Sequence, residues 1–193
     1  MQNFYAFIEL MGMLVADPRT GVLIALLVVA AISDWRTYRI PNWLTGGGLV
    51  FGLVCNTWLA RTPMAGLTDA AGGMLIGFGA LVPMYVMRVM GGGDVKLMAM
   101  AGAFLGVSGT LNALLYTFVI GGLAALAFAV FHGALRRMFA NIAGVLQSML
   151  AAASLGFKPD AGAMEPSIGR MPYGVSISVG TIGFVVAHQL GFA

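Results

Sequence analysis

Residues 21–42 read GVLIALLVVAAISDWRTYRIPN. From Gly21 to Ile32 there is no charged side chain; Asp34, Arg36 and Arg39 then arrive within six positions. A helix that crosses a bilayer needs about 20 apolar residues, with a range of roughly 17 to 25. The stretch therefore predicts a membrane span over about 20–34 that reaches the interface at Asp34. Trp35, Tyr38 and Trp43 fit the aromatic belt found at that level. Pro41 holds Ile40 in an extended conformation and stops the helix, and Asn42 is placed to cap the next one. The Ile40-Pro41-Asn42 triplet thus reads as structural, fixing the loop that carries Asp34.

The rest of the chain repeats this pattern. Its 193 residues are 60% hydrophobic and only 9% charged, with a mean hydropathy of +0.93. Soluble domains carry about 25% charged residues, so lipid is the solvent for most of this surface. Apolar runs fall at about 20–34, 43–60, 70–88, 96–107, 110–131 and 173–190. The fourth is short and gains length if the glycines before it join the helix. Ser108-Gly109-Thr110 is the expected turn between the fourth and fifth. The predicted fold is all-α: one polytopic domain over 1–193, a bundle of about six transmembrane helices plus an interfacial amphipathic helix.

That interfacial helix is expected within the 132–170 loop. Leu135, Met138, Phe139, Ile142, Val145, Leu146, Met149 and Leu150 share one helical face, the pattern of a helix lying in the headgroup region. Residues 1–18 read as an N-terminal amphipathic segment; without Lys or Arg in 1–15 they do not resemble a cleaved signal peptide. Gly48-x-x-x-Gly52, Gly73-x-x-x-Gly77 and Gly102-x-x-x-Gly106 are candidate close-packing faces.

Lys and Arg gather in alternate loops: Arg36 and Arg39, then Arg88 and Lys96, then Arg136, Arg137, Lys158 and Arg170. The positive-inside rule places these loops in the cytoplasm and both termini outside. The ten basic residues form no patch for nucleic acid. The single cysteine, Cys55, excludes an internal disulfide and a CxxC zinc site. His132 and His188 show no metal-ligand spacing, and no metal or cofactor is expected.

Chemistry is sought among seven acids. Glu9, Asp17 and Asp69 fall on the outer side in water, and Asp160 and Glu165 lie in the polar loop. Asp34 and Asp94 remain, both at the cytoplasmic ends of apolar runs. An acid in such a place is a functional candidate by default. Two close carboxylates do not both ionise easily, so one can draw a proton from a water while the other polarises a carbonyl. That is the logic of an aspartic peptidase. Gly91, Gly92 and Gly93 precede Asp94 and would admit a close-lying substrate strand. Asp94 would open a helix, where the dipole favours an anion. Lys96 reads as a carboxylate partner or an interface anchor. Singly, each Asp reads as a cap or as an ion-pair partner, Asp34 with Arg36 and Asp94 with Lys96; a cation-coupled transporter site or a non-catalytic membrane subunit are the competing readings of the pair.

Asp34-x5-Ile40-Pro41-Asn42 followed by Leu44-Thr45, then Gly91-x-Gly93-Asp94-x-Lys96, then Met171-Pro172-Tyr173-Gly174 before a last span, resembles the type IV prepilin peptidases. The GxGD element alone is shared with presenilin-like proteases; the order of all three is specific. The resemblance implies a bacterial inner-membrane aspartic endopeptidase with Asp34 and Asp94 as the catalytic pair. Such an enzyme removes the short basic leader of prepilins or pseudopilins, cutting after a glycine at the cytoplasmic face, with pilus or secretion machinery as further partners. Pro172, Tyr173 and Gly174 read as a helix start or as backbone contacts near the site. Full-length members also carry paired CxxC motifs and methylate the new N-terminus. The lone cysteine here implies cleavage without methylation, as in the short peptidases of Tad/Flp-type pilus systems.

Overall fold

The computed structural model describes residues 18–87, 89–133, 135–136, 139–140, 142–144, 147 and 172–192. Five helical elements carry the architecture: α1 (Pro18–Thr37), α2 (Asn42–Leu59), α3 (Pro63–Val86), α4 (Gly92–Phe131) and α5 (Tyr173–Gln189). No strand occurs among the described residues. Of the expected N-terminal segment 1–18 only Pro18 is among them, and half of the expected interfacial helix at 135–150 lies outside them, the described half being helical. The chain is an integral membrane protein: α1, α3 and α4 are long and apolar enough to cross a bilayer. Large apolar side chains such as Val28, Val29, Ile32, Val50, Val54 and Trp58 point outward, as lipid-facing residues should.

α4 is the central element and contacts each of the other four. Its first arm is apolar on all sides, which is the mark of a fully surrounded helix. Val95 and every residue from Leu97 to Phe104 are buried there, while Lys96 is exposed. Leu23, Leu27, Leu44, Leu81 and Ile177 close around it from the neighbouring helices. The predicted small-residue faces make the contacts. A Cβ on Gly102 would strike the backbone carbonyl of Gly73, and one on Gly52 would lie 2.8 Å from the Phe104 ring. At these positions α3 and α2 touch α4 backbone to backbone or backbone to ring, closer than any side chain permits.

α4 breaks at Gly106, whose backbone is left-handed (φ 68°). The sequence placed this turn at Ser108-Gly109-Thr110; those residues are helical instead. The reason is the satisfaction of backbone groups freed by the break. Asp69 of α3 accepts the Val107 N–H at 3.0 Å and caps the second arm. Asn56 of α2 donates to the Ala103 and Phe104 carbonyls at 2.7 and 3.0 Å, ending the first arm. Arg19 donates to Asn56 Oδ1 at 3.0 Å and fixes that amide. The Thr110 hydroxyl bonds the Gly106 carbonyl. Both arms are thus closed by polar side chains, and only glycine fits because a Cβ at Gly106 would meet the Asp69 carboxylate. The first arm, Gly92 to Leu105, is about 21 Å long at 1.5 Å per residue. It sets the two ends of the bundle apart, with the break at one end and Asp94 at the other.

Candidate functional site

Three chain segments meet at the Asp94 end of α4. Asp34 stands in the last turn of α1, which the Tyr38 N–H to Asp34 C=O bond closes at 2.9 Å. Tyr38 then turns the chain with a positive φ of 51°. The Ser33 and Thr37 hydroxyls both bond the Arg39 carbonyl, at 2.8 and 3.2 Å, so the reversal is tied to the helix it leaves. Pro41 occupies the N-cap of α2 with extended angles. The outcome is that Ile40 is fixed in space a short distance from Asp34.

Ile40 is where the segments join. A Cβ on Gly93 would lie 3.3 Å from the Ile40 Cβ, and one on Gly174 would lie 2.8 Å from the Ile40 Cδ1. The Ile40 side chain is therefore packed on the backbone of both the α4 and the α5 N-termini. Of Gly91, Gly92 and Gly93 only Gly93 faces Ile40, and none of the three has a positive φ. Gly91 has φ −80° and ψ 156°, open to any residue, and Gly92 lies against the Tyr85 ring.

The two acids are held alike. Asp34 Oδ2 accepts the Gly174 N–H at 2.8 Å, from the first turn of α5. Asp94 Oδ2 accepts the Gly91 N–H at 2.9 Å, as the third-position side chain of a capping arrangement. Each carboxylate thus faces a helix N-terminus, where peptide dipoles favour negative charge. Asp34 is 5% exposed and Asp94 7%. They stand within electrostatic reach of each other, and Tyr173 lies within reach of Asp94. The bundle has brought together the two acids that elimination selected.

The other expected site residues divide. Gly174 reaches Asp34 directly, and Tyr173 opens α5 beside the pair, with Pro172 at the N-cap before it. Asn42 does not cap α2, because Pro41 holds that position and no side-chain cap bond forms. Its amide oxygen accepts from Lys96 Nζ at 2.9 Å instead. Lys96 accordingly ties the start of α4 to the start of α2 and does not pair with Asp94. Sequence reasoning offered Gly174 as a backbone contact near the site without naming Asp34 as its partner, and it missed the double contact of Ile40. The outward role of Asp69 was also incomplete: water can reach it, but it caps the broken helix. Acidic and amide residues inside apolar runs, Asp69 in LTDAAGG and Asn56 in VCNTWL, were the signal for that network. Among the described residues, no cluster of His, Cys, Asp and Glu is arranged to hold a metal ion.

Residues 21–126, which include both acids, match the model of the type IV leader peptidase family. A prepilin leader peptidase/N-methyltransferase of Bacillus subtilis (strain 168) is 34% identical over 110 residues, covering 53% of this chain. The chain spans about two fifths of that relative, 41% of its length. No solved structure matches.

Proposed function

The chain belongs to the type IV leader peptidase family, and from that membership we propose that it is a membrane aspartic endopeptidase acting on prepilins or pseudopilins. It removes their short basic leader, cutting after a glycine, at the cytoplasmic face of the bacterial inner membrane. The observation that carries this reading is the paired holding of Asp34 and Asp94. Both are buried, both are oriented by a backbone N–H, and both come from the ends of helices that meet at Ile40.

In this mechanism the substrate's apolar helix lies against the bundle and its leader emerges at the loop side, where the scissile segment unwinds. A water sits between the carboxylates. The ionised one takes a proton from the water as it attacks the scissile carbonyl, and the protonated one donates to the carbonyl oxygen. Collapse of the tetrahedral intermediate breaks the C–N bond, and the departing amine takes up a proton. Holding one oxygen of each acid on a backbone N–H leaves the carboxyl planes fixed, so reorientation costs little at the transition state. No metal or organic cofactor enters. The reading extends to cleavage without N-methylation, since Cys55 is the single cysteine and no CxxC pair exists. Tad/Flp-type pilus systems are the proposed setting, with pilus assembly machinery as partner.

The test is leader removal from a co-expressed prepilin, followed on a gel. Asp34→Asn and Asp94→Asn keep the shape and hydrogen-bond acceptance of each side chain but not its acid–base chemistry. Each is expected to lower the rate by roughly 10²–10⁴-fold, the range for a lost general acid or base. Normal processing by either variant sinks the reading.

A further inference from the structure

On the side of α4 away from the two acids, a groove of about 420 Å³ opens between α2, α3 and the first arm of α4. Its walls are apolar along most of their length, with Leu49, Met74, Leu75 and Phe78 among them. Its polar residues gather towards one end: Asn42 and Lys96, at the same end of the bundle as Asp34 and Asp94, and Thr45 one turn further in, whose hydroxyl donates to the Asn42 carbonyl. From Asn42 the groove runs inward past Leu49, about 10 Å along α2 at 1.5 Å per residue. α3 approaches antiparallel, so that Phe78 and then Met74 line successively deeper levels. The site is therefore amphipathic along the membrane normal, with a cation at the interface and a hydrocarbon channel below it.

We infer that this groove binds an anionic phospholipid, with its phosphate at Lys96 and one acyl chain along the apolar channel. An ammonium has three hydrogens to donate. Lys96 gives one to Asn42 Oδ1 and keeps two for another acceptor, on an exposed side chain. A negatively charged headgroup at the interface complements it, as basic pockets between membrane helices do. The cation at the interface end decides for a lipid over an apolar helix, because an anionic headgroup pairs with Lys96 while a hydrocarbon chain follows the apolar walls below it. The Lys96–Asn42 bond links the starts of α4 and α2, so the headgroup binds the same pair of helix ends that carry the Asp34 and Asp94 loops.

The glycines supply a clean test. A Cβ on Gly46 meets nothing within 4 Å although Gly46 lines the groove, and Gly47 is equally open but lies outside it. Gly46→Leu therefore sends a side chain into the groove from a Cβ position with no neighbour within 4 Å, and Gly47→Leu is its match in helix propensity. The full chain is reconstituted in nanodiscs of mixed phosphatidylglycerol and phosphatidylcholine, then released into detergent, and retained lipid is counted by native mass spectrometry. The wild type and Gly47→Leu are expected to retain phosphatidylglycerol in preference. Gly46→Leu should lose it, and Lys96→Gln should lower the preference for the anionic lipid roughly fivefold, the effect of one cation at a charged membrane surface. Equal retention by wild type and Gly46→Leu overturns the inference. So does displacement of the retained lipid by excess inorganic phosphate, or a Gly46→Leu variant that keeps its lipid but loses binding of an apolar substrate helix. The readout is lipid and not cleavage, so it stands whether or not the peptidase reading does.

Discussion

The N–H of Gly174 donates to Asp34 Oδ2 at 2.8 Å, joining the first turn of the last helix to the last turn of the first across 140 positions of sequence. The bond needs a backbone without a side chain. A Cβ on Gly174 would stand 2.8 Å from that same oxygen, 3.0 Å from the Asp34 Cγ and 2.8 Å from the Ile40 Cδ1. One methyl group therefore presses on a proposed catalytic acid and on the residue that spaces it from the other.

Gly174→Ala is accordingly expected to fold and to insert, but to displace Asp34. Misplacement of a catalytic group by about 1 Å costs up to roughly 10²-fold in rate. The loss should appear in kcat for leader removal, with little change in thermal stability. Cleavage within a factor of two of wild type would show that Asp34 tolerates the shift.

Ile40→Ala should separate positioning from chemistry. Its side chain packs on Gly93 and on Gly174, so truncation leaves both helix ends less well spaced. Partly buried as it is, the residue is expected to contribute about 2 kcal/mol, at the low end for such truncations. Ile40→Val should recover most of both stability and rate. A drop in kcat with KM nearly unchanged, and its rescue in Ile40→Val, checks the spacing role.

At the other end of α4, Asp69→Ala removes the cap from the second arm. A lost N-cap costs about 1 kcal/mol, read as a lower unfolding midpoint in detergent. Gly106→Ala should cost more, because alanine is strained at positive φ and its methyl meets the Asp69 carboxylate. Both substitutions lie the length of the first arm away from Asp94. Leader cleavage by the folded fraction should therefore remain at the wild-type rate, which an assay normalised to monodisperse protein measures.

The packing glycines predict a sharper contrast. Gly73→Leu and Gly102→Leu place a side chain where each residue faces the backbone carbonyl of the other. Backbone cannot yield as a side chain can, so neither variant is expected to yield monodisperse protein in detergent. Gly79→Leu, where a Cβ meets nothing within 4 Å, should purify like wild type. Comparable yields from all three would contradict a close α3–α4 contact.

Much of this protein is legible in its sequence, and for a physical reason. A bilayer allows few solutions: apolar runs must become helices, charges must stay at their ends, and an acid at such an end needs a purpose. Composition and run length therefore determined the all-α membrane bundle, and scarcity of acids singled out Asp34 and Asp94. The glycine pairs announced close contacts because little else explains small residues at helical spacing in lipid. These are local signals, carried by residue type and by distance along the chain.

What the sequence could not determine is which residue satisfies which polar group, because that depends on segments far apart in the chain. The turn expected at Ser108-Gly109-Thr110 moved to Gly106, since Asp69 and Asn56 from two other helices close the broken ends there. Asn42 read as a cap until Pro41 took that place and Lys96 bonded its side chain. Asp34 appeared as the end of one apolar run, whereas its orientation comes from the N-terminus of α5. Sequence alone determined that two carboxylates are kept at the ends of spanning helices. Only the tertiary structure decided how they are held, because a buried acid takes its hydrogen bonds from whichever backbone the packing brings within about 3 Å.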